Sequence, residues 1–137
     1  MKYFLIAIAL FLMALMPTSN VVFQDVSGKS TADGILIQWS TPVENGIKDF
    51  AIEKASQINN QYFQIGTVTP TGAGSIYSFT DKQIYKTSSS SVFVYRIRAD
   101  GNDNSVSYSD PITVSYEFSG LSGVAARTWG SIKAMFR

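Results

Sequence analysis

The chain contains no cysteine and no histidine among its 137 residues. Without cysteine there is no disulfide and no thiolate nucleophile, and without histidine the usual catalytic triads and most zinc sites are excluded as well. Charged residues make up only 15% of the chain, whereas hydrophobic residues make up 45%. This is the opposite of the composition of disordered segments, so the sequence predicts a folded chain with room for one domain and short appendages.

The net charge of +1 is distributed unevenly along the chain. Residues 20–119 carry seven basic and ten acidic side chains, so this part is mildly acidic. The last 18 residues carry three basic side chains and no acidic one. Domains that bind nucleic acids normally present a broad basic face, which an acidic body does not offer. We therefore expect no nucleic-acid partner.

The first 19 residues have the form of an export signal. Lys2 is followed by an uninterrupted apolar run over residues 3–16 and then by Pro17, Thr18 and Ser19. As a helix this run would be about 21 Å long, shorter than the roughly 30 Å hydrocarbon core of a bilayer. After the apolar run, no position offers the pair of small residues that is typical of a signal cleavage site. The sequence therefore leaves open whether the segment is removed or is retained as an N-terminal anchor. The sequence predicts an exported protein of the periplasm, cell envelope or extracellular surface.

Residues 20–118 show the period-two pattern of β-strands. Short runs rich in β-branched and aromatic residues alternate with turn-forming pairs such as Asp33-Gly34 and Asn45-Gly46. Seven strands are predicted, at residues 21–26, 34–40, 48–55, 62–69, 75–80, 92–99 and 106–116. No segment of helical period interrupts them. The expected fold class is all-β, a seven-stranded sandwich of the immunoglobulin-like type.

The alternation assigns two large aromatic residues to the interior of this sandwich. Trp39 and Tyr95 occupy inward positions, and Tyr95 lies near the place of the tyrosine corner in such folds. Arg96 and Arg98 fall on the outward face of the same predicted strand as Tyr95. We expect these arginines to pair with acidic side chains of neighbouring strands rather than to form an anion site.

A series of short motifs follows the predicted strands in order. They are Trp39-Ser40, Glu44, Phe50-Ala51-Ile52-Glu53, Ile65-Gly66, Tyr77-Ser78-Phe79-Thr80-Asp81, Tyr95-Arg96, Asp100-Gly101 and Tyr108-Ser109. Their order and spacing resemble the fibronectin type III-like modules of exported proteins from Bacteroidota and related bacteria. The resemblance covers about residues 20–117 and implies a fibronectin type III-like sandwich. It implies no single function, because such modules serve as spacers, adhesion units or accessory domains.

Residues 100–104 have oxygen-bearing side chains at alternating positions, as the start of a calcium loop does. However, Ser105 and Pro111 stand where an EF-hand loop needs a glycine and a bidentate glutamate. We therefore expect a solvated hairpin loop and no metal ion.

Glu44 or Asp49 could pair with Glu53 as the two carboxylates that glycoside hydrolysis needs. The pattern places these acids in a turn and on the outward side of a strand, where the resemblance implies structural roles. The sequence therefore predicts no catalytic residue, no cofactor and no enzymatic activity.

Residues 119–137 change to a helical period. At about 100° per residue, the main apolar side chains of this tail share an arc of about 140° and the cations lie outside it. The apolar face comprises Leu121, Val124, Ala125, Trp129, Ile132, Met135 and Phe136, and the cations are Arg127, Lys133 and Arg137. The pattern predicts a basic amphipathic helix. Its apolar face suits docking on the sandwich, on an anionic membrane surface or in a groove of a protein partner, and the sequence leaves the three open.

Three classes of function follow from these features. The first is a non-catalytic envelope or surface protein that binds another protein or a membrane through its sandwich and its tail. The second is a carbohydrate-binding or adhesion module that binds a glycan through exposed aromatic side chains such as Tyr62, Tyr85 or Tyr116. The third is a small enzyme. We favour the first class, since the chain lacks the residue types on which most catalytic sites depend.

Overall fold

The computed structural model of the chain describes residues 18–86 and 91–117. In this part the chain forms eight β-strands and one short 3₁₀ helix. The strands are β1 (Asn20–Thr31), β2 (Gly34–Asn45), β3 (Ile47–Ala55), β4 (Tyr62–Val68), β5 (Ser75–Asp81), β6 (Ser91–Gly101), β7 (Val106–Tyr108) and β8 (Ile112–Tyr116), and the 3₁₀ helix is Gln83–Lys86. The predicted all-β class is confirmed.

Two sheets form a sandwich, and every strand pairing in them is antiparallel. The smaller sheet has the order β1-β2-β5. In the larger sheet β4, β3 and β6 follow one another, and both β7 and β8 pair with the remaining edge of β6. The inward faces enclose one core, which consists of Ile35, Ile37, Trp39, Phe50, Ile52, Tyr77, Ile84, Phe93, Tyr95, Ile97, Ala99 and Val114.

The predicted aromatic core is confirmed, since Trp39 is 1% and Tyr95 0% exposed. Trp39 stacks on Tyr77 with ring centroids 5.3 Å apart and meets Phe50 edge-on at 5.9 Å. The Tyr95 hydroxyl donates to Asp81 Oδ2 at 2.9 Å. In a tyrosine corner this hydroxyl would bond to nearby backbone instead. The side chain of Tyr95 therefore joins β6 to β5 of the other sheet.

The single strand predicted for residues 106–116 is wrong, because two strands, β7 and β8, occupy this range. Pro111 lies between them and has no backbone N–H to donate to a strand ladder. Ser109 maintains the connection to β6: its N–H donates to the carbonyl of Ile97 at 2.9 Å, and its Oγ accepts from the N–H of Ile97 at 2.9 Å. The described residues thus form eight strands where seven were predicted.

The predicted tail helix, residues 119–137, lies outside the described residues, and so do residues 1–17 of the predicted signal or anchor segment, residues 1–19. Before β1, the Ser19 N–H donates to the Asp103 carboxylate at 3.0 Å, beyond the end of β6. At the other terminus, Tyr116 of β8 pairs with Ser91, the first residue of β6. Residues 18 and 117 therefore lie at opposite ends of the sandwich.

Candidate functional site

The interaction residues predicted on the tail also lie outside the described residues. They are Leu121, Val124, Arg127, Trp129, Ile132, Lys133, Met135, Phe136 and Arg137. Their role stays a prediction. The sandwich itself carries two surfaces suited to a partner, one on the outer face of the larger sheet and one at an open edge between the sheets.

The outer face of the larger sheet collects polar and aromatic side chains from four strands. The strand register places Glu53 of β3 beside Arg96 of β6 and Gln64 of β4, and it places Arg98 of β6 opposite Tyr108 of β7. Because side chains alternate along a strand, these residues face away from the core. The outer-face cluster comprises Glu53, Tyr62, Gln64, Arg96, Arg98, Asp100 and Tyr108.

Glu53 lies at the centre of the outer-face cluster. Its side chain is only 6% exposed and accepts from Arg96 Nε at 2.7 Å and from Arg98 Nη1 at 2.8 Å. Arg98 also donates to both carboxylate oxygens of Asp100, and this hydrogen bond raises the pKa of Arg98 above its ordinary value. The predicted pairing of both arginines with acids of this sheet is confirmed. Glu53 does lie on the outward side of β3, but the two guanidinium groups cover it.

Arg96 lies between two tyrosine rings. Its guanidinium carbon is 3.9 Å from the ring centroid of Tyr62 and 4.1 Å from that of Tyr108. Each such cation–π contact contributes about 0.5–2 kcal/mol. Arg96 is therefore held by Glu53 and by both tyrosine rings at the same time. Together these contacts favour one arrangement of the four side chains Glu53, Tyr62, Arg96 and Tyr108. Tyr108 nevertheless remains 50% exposed.

Two exposed valines lie on the same face of the larger sheet as the outer-face cluster. Val92 on β6 and Val106 on β7 face outward and are 53% and 50% exposed. Tyrosine and arginine are enriched at the energetic centres of protein interfaces, and a surface ordered before contact loses less entropy on binding. Both arginines are balanced by carboxylates, so the cluster suits a protein partner better than a free anion.

The hydrogen bonds of Glu44 stabilise a loop, so its carboxylate has a structural role and does not act on a reacting group. It lies on β2 and is buried, so its predicted place in a turn is wrong. Its carboxylate accepts from the hydroxyls of Thr41 and Tyr77, each at 2.7 Å, and from the Gly72 N–H at 2.9 Å. These bonds fasten the loop between β4 and β5 to the end of β2, and they use both carboxylate oxygens.

Asp81 and Lys54 form an ion pair between the two sheets. Lys54 Nζ donates to Asp81 Oδ2 at 2.8 Å, and the two side chains are 13% and 2% exposed. The ammonium group lies 4.2 Å above the centre of the Phe93 ring. Burial, together with the neighbouring Asp81 carboxylate, raises the pKa of Tyr95 far above its ordinary value. We assign this group to the stability of the sandwich.

The loop after β6 is a hairpin connection, as predicted from residues 100–104. The Asp103 carboxylate accepts hydrogen bonds from the backbone N–H groups of Ser19 and Ser105, each at 3.0 Å. A hydrogen bond from the Ser105 hydroxyl, more than any other cause, lowers the pKa of Asp103 well below its usual range. Within residues 18–86 and 91–117, no three acidic, histidine or cysteine side chains are grouped where a metal ion could bind.

A groove of about 450 Å³ opens where β1 faces the connection between β7 and β8. We call it the edge groove. Its walls are Val21, Val22, Phe23, Gln24, Asp25 and Val26 on one side and Tyr108, Ser109, Asp110 and Ile112 on the other. Two shifts of register interrupt β1 here, and Asp25 adopts a φ of 53°. Among residues 18–86 and 91–117, β1 pairs only with β2, so no described strand pairs with its other edge.

Of the aromatic side chains predicted to bind a glycan, Tyr62 and Tyr116 are described, and they lie in different surroundings. Arg96 covers one face of the Tyr62 ring on the outer face of the larger sheet. Tyr116 packs against the core. The side chain of Tyr85 lies outside what the structure describes.

Comparison of the chain with protein-family models, curated proteins and solved structures gave no match. The part of the chain that the structure describes contains no helix with the length and apolar character needed to cross a membrane. The geometry of the sandwich is therefore the basis for a functional assignment.

Sequence reasoning identified part of the outer-face cluster. The alternation along the predicted strands places Glu53, Arg96 and Arg98 on outward faces. The contact of Tyr108 with Arg96 has no signal in the sequence, because it depends on the pairing of β7 with β6. The burial of Glu53 depends on the register of three strands, which the sequence pattern does not specify.

Proposed function

We propose that this chain is a non-catalytic, exported protein of the cell envelope or surface that binds another protein through its outer-face cluster. The observation that carries this proposal is the stack of Tyr62, Arg96 and Tyr108 above the buried Glu53. The stack is ordered by ion pairs and ring contacts, yet Tyr108 remains half exposed. The export component rests on the form of residues 1–19.

We infer further that the sandwich is a fibronectin type III-like module. In immunoglobulin constant domains the fourth strand joins the sheet of the first, second and fifth strands. Here β4 pairs with β3 of the other sheet, which leaves β1, β2 and β5 as a three-stranded sheet. This division of strands supports the resemblance that the motifs suggest.

The buried acids support a binding role over an enzymatic one. Glu44, Glu53 and Asp81 each accept hydrogen bonds from donors of neighbouring strands or loops. A catalytic carboxylate needs room beside it for substrate or water. In this sandwich the three carboxylates are occupied by structural partners.

Photo-crosslinking in the source organism tests the proposed binding surface. A photoreactive residue in place of Tyr108 should give a discrete crosslinked product with a second protein. The matched control is the same residue in place of Ile76, which is 79% exposed on the smaller sheet. Equal products from both positions, or no product at Tyr108, would contradict the proposal.

Two other partners have support from the sequence alone. The basic tail fits an anionic membrane surface, and the exposed aromatics fit a glycan. Chains ending at Ser119 and at Arg137 separate these alternatives. Salt-sensitive binding to anionic vesicles by the longer chain alone would favour the membrane, whereas glycan-array binding by both would favour a carbohydrate-binding role.

A further inference from the structure

We propose that the C-terminal tail, residues 118–137, lies in the edge groove of its own sandwich. This contact shares Tyr108 with the outer-face cluster, but it involves no other member of that cluster and does not depend on the function of the cluster. Four properties support it: the apolar walls of the groove, its two carboxylates that form no ion pair among the described residues, the edge of β1 that pairs with no described strand, and the reach of the tail.

The groove offers apolar surface that the sandwich does not cover by itself. Val21, Phe23, Val26 and Ile112 pack against the core and are only partly buried. They border the edge of β1 that pairs with no other described strand. Edges of this kind are commonly covered by a helix or loop of the same chain. The apolar arc predicted for the tail, which includes Trp129, supplies a complementary surface.

The charges of the groove and of the tail are opposite. Asp25 and Asp110 line the groove, and among the described residues neither forms an ion pair with a lysine or arginine. The tail carries Arg127, Lys133 and Arg137 and no acidic side chain. Ion pairs at such a partly exposed contact are worth little individually, but they select the orientation of the docked segment.

The length of the tail fits a contact within one molecule. Ile112 lines the groove and β8 ends at Tyr116, which is about 13 Å farther along the strand. A reversal of direction at Ser119 and Gly120 would send residues 121–137 back along the open edge. As a helix these residues would extend about 26 Å, enough to bring Lys133 and Arg137 beside the groove. The short covalent link favours the chain's own tail over that of a second copy.

A spin label tests this contact in the full chain, which has no cysteine of its own. We would introduce Ala134→Cys, on the side of the predicted helix away from its apolar arc, and attach a nitroxide. Amide NMR signals of Val21, Phe23 and Ile112 should be broadened, with no change when the protein is diluted tenfold. Signals of Phe63 and Gln64 on β4, which forms the edge of the larger sheet away from β7 and β8, should stay sharp.

The double substitution D25N/D110N should weaken the broadening at least several-fold. D33N/D49N removes the same amount of charge away from the groove and should leave the broadening unchanged. The proposal is overturned if the groove signals stay sharp in the parent protein, or if the two double variants behave alike. Broadening that disappears on dilution would show a contact with a second copy and would also overturn it.

Discussion

Three buried carboxylates show how individual residues hold this sandwich together without disulfides. Glu44 fastens a loop, Glu53 organises two arginines, and Asp81 joins the two sheets. Each is satisfied by several donors, as a buried charge must be if it is not to destabilise the fold. Hydrophobic burial supplies most of the stability, and these polar groups select one arrangement of loops and strands.

Trp39→Ala should lower the free energy of unfolding of the isolated domain by about 3–5 kcal/mol. The ring is almost fully buried between Tyr77 and Phe50, so its removal leaves a cavity in the centre of the core. Urea unfolding followed by circular dichroism measures the change. Arg98→Ala provides the comparison, and we expect it to cost less than about 1 kcal/mol because Arg98 is partly exposed and Glu53 keeps Arg96. Similar small costs for both variants would show that Trp39 is not a core residue.

Tyr95 should remain protonated in the folded protein at a pH where an ordinary tyrosine ionises. Its ordinary pKa is 10.0, and burial beside Asp81 raises the pKa in the folded state. Because the pKa of Tyr95 is higher in the folded than in the unfolded state, protonated Tyr95 contributes its full stabilisation below pH 10. This contribution is lost as the pH rises further. An alkaline titration followed by phenolate absorbance should show one tyrosine that ionises only when the protein unfolds. Tyr95→Phe should remove that late step, and an unchanged titration curve would contradict the assignment.

At the scale of the strands, the Lys54–Asp81 pair links β3 of one sheet to β5 of the other. Asp81→Ala leaves the Lys54 ammonium without its carboxylate in a mostly buried site, so we expect a loss of about 3–5 kcal/mol in the free energy of unfolding. Adding Lys54→Met removes the unpaired charge and should restore part of the loss. Chemical denaturation of the parent, both single variants and the double variant measures the coupling. If the stability losses of the two single variants simply add in the double variant, the pair does not couple the sheets.

The break between β7 and β8 shows that one element can be divided by two residues of different chemistry. Pro111 cannot donate a backbone hydrogen bond, so a continuous ladder along β6 is not available to this segment. Ser109 supplies a side-chain acceptor for the Ile97 N–H at the same place. Tyr108 and Ile112 consequently belong to separate short strands, and both border the edge groove.

At the scale of the whole molecule, residues 18 and 117, which begin and end the described chain, lie at opposite ends of the sandwich. Ser19 is bonded to Asp103 beyond the end of β6, and Tyr116 pairs with Ser91 at its start. The 11 residues of β6 correspond to about 35 Å. The two ends of the described chain are therefore separated by about the length of β6.

Full-length protein produced in a Gram-negative host should fractionate with the periplasm or the membranes. The expectation rests on Lys2 and the apolar run over residues 3–16, which have the form of an export signal. Cell fractionation with mass spectrometry of the N-terminus distinguishes cleavage from retention. Intact soluble protein in the cytosol that begins at Met1 would contradict export, and a chain that begins at residue 20 should be retained in the cytosol as the matched control.

The sequence by itself determined the class of this fold, the aromatic core and the outward direction of Arg96 and Arg98. These features depend on period-two alternation and on turn residues, which are local properties of the chain. Only the tertiary structure decided that Glu44 and Glu53 are buried, that Tyr108 stacks on Arg96 and that an open groove lies beside β1. Those features depend on strand register, on the break at Pro111 and on the packing of two sheets, which bring together residues far apart in sequence.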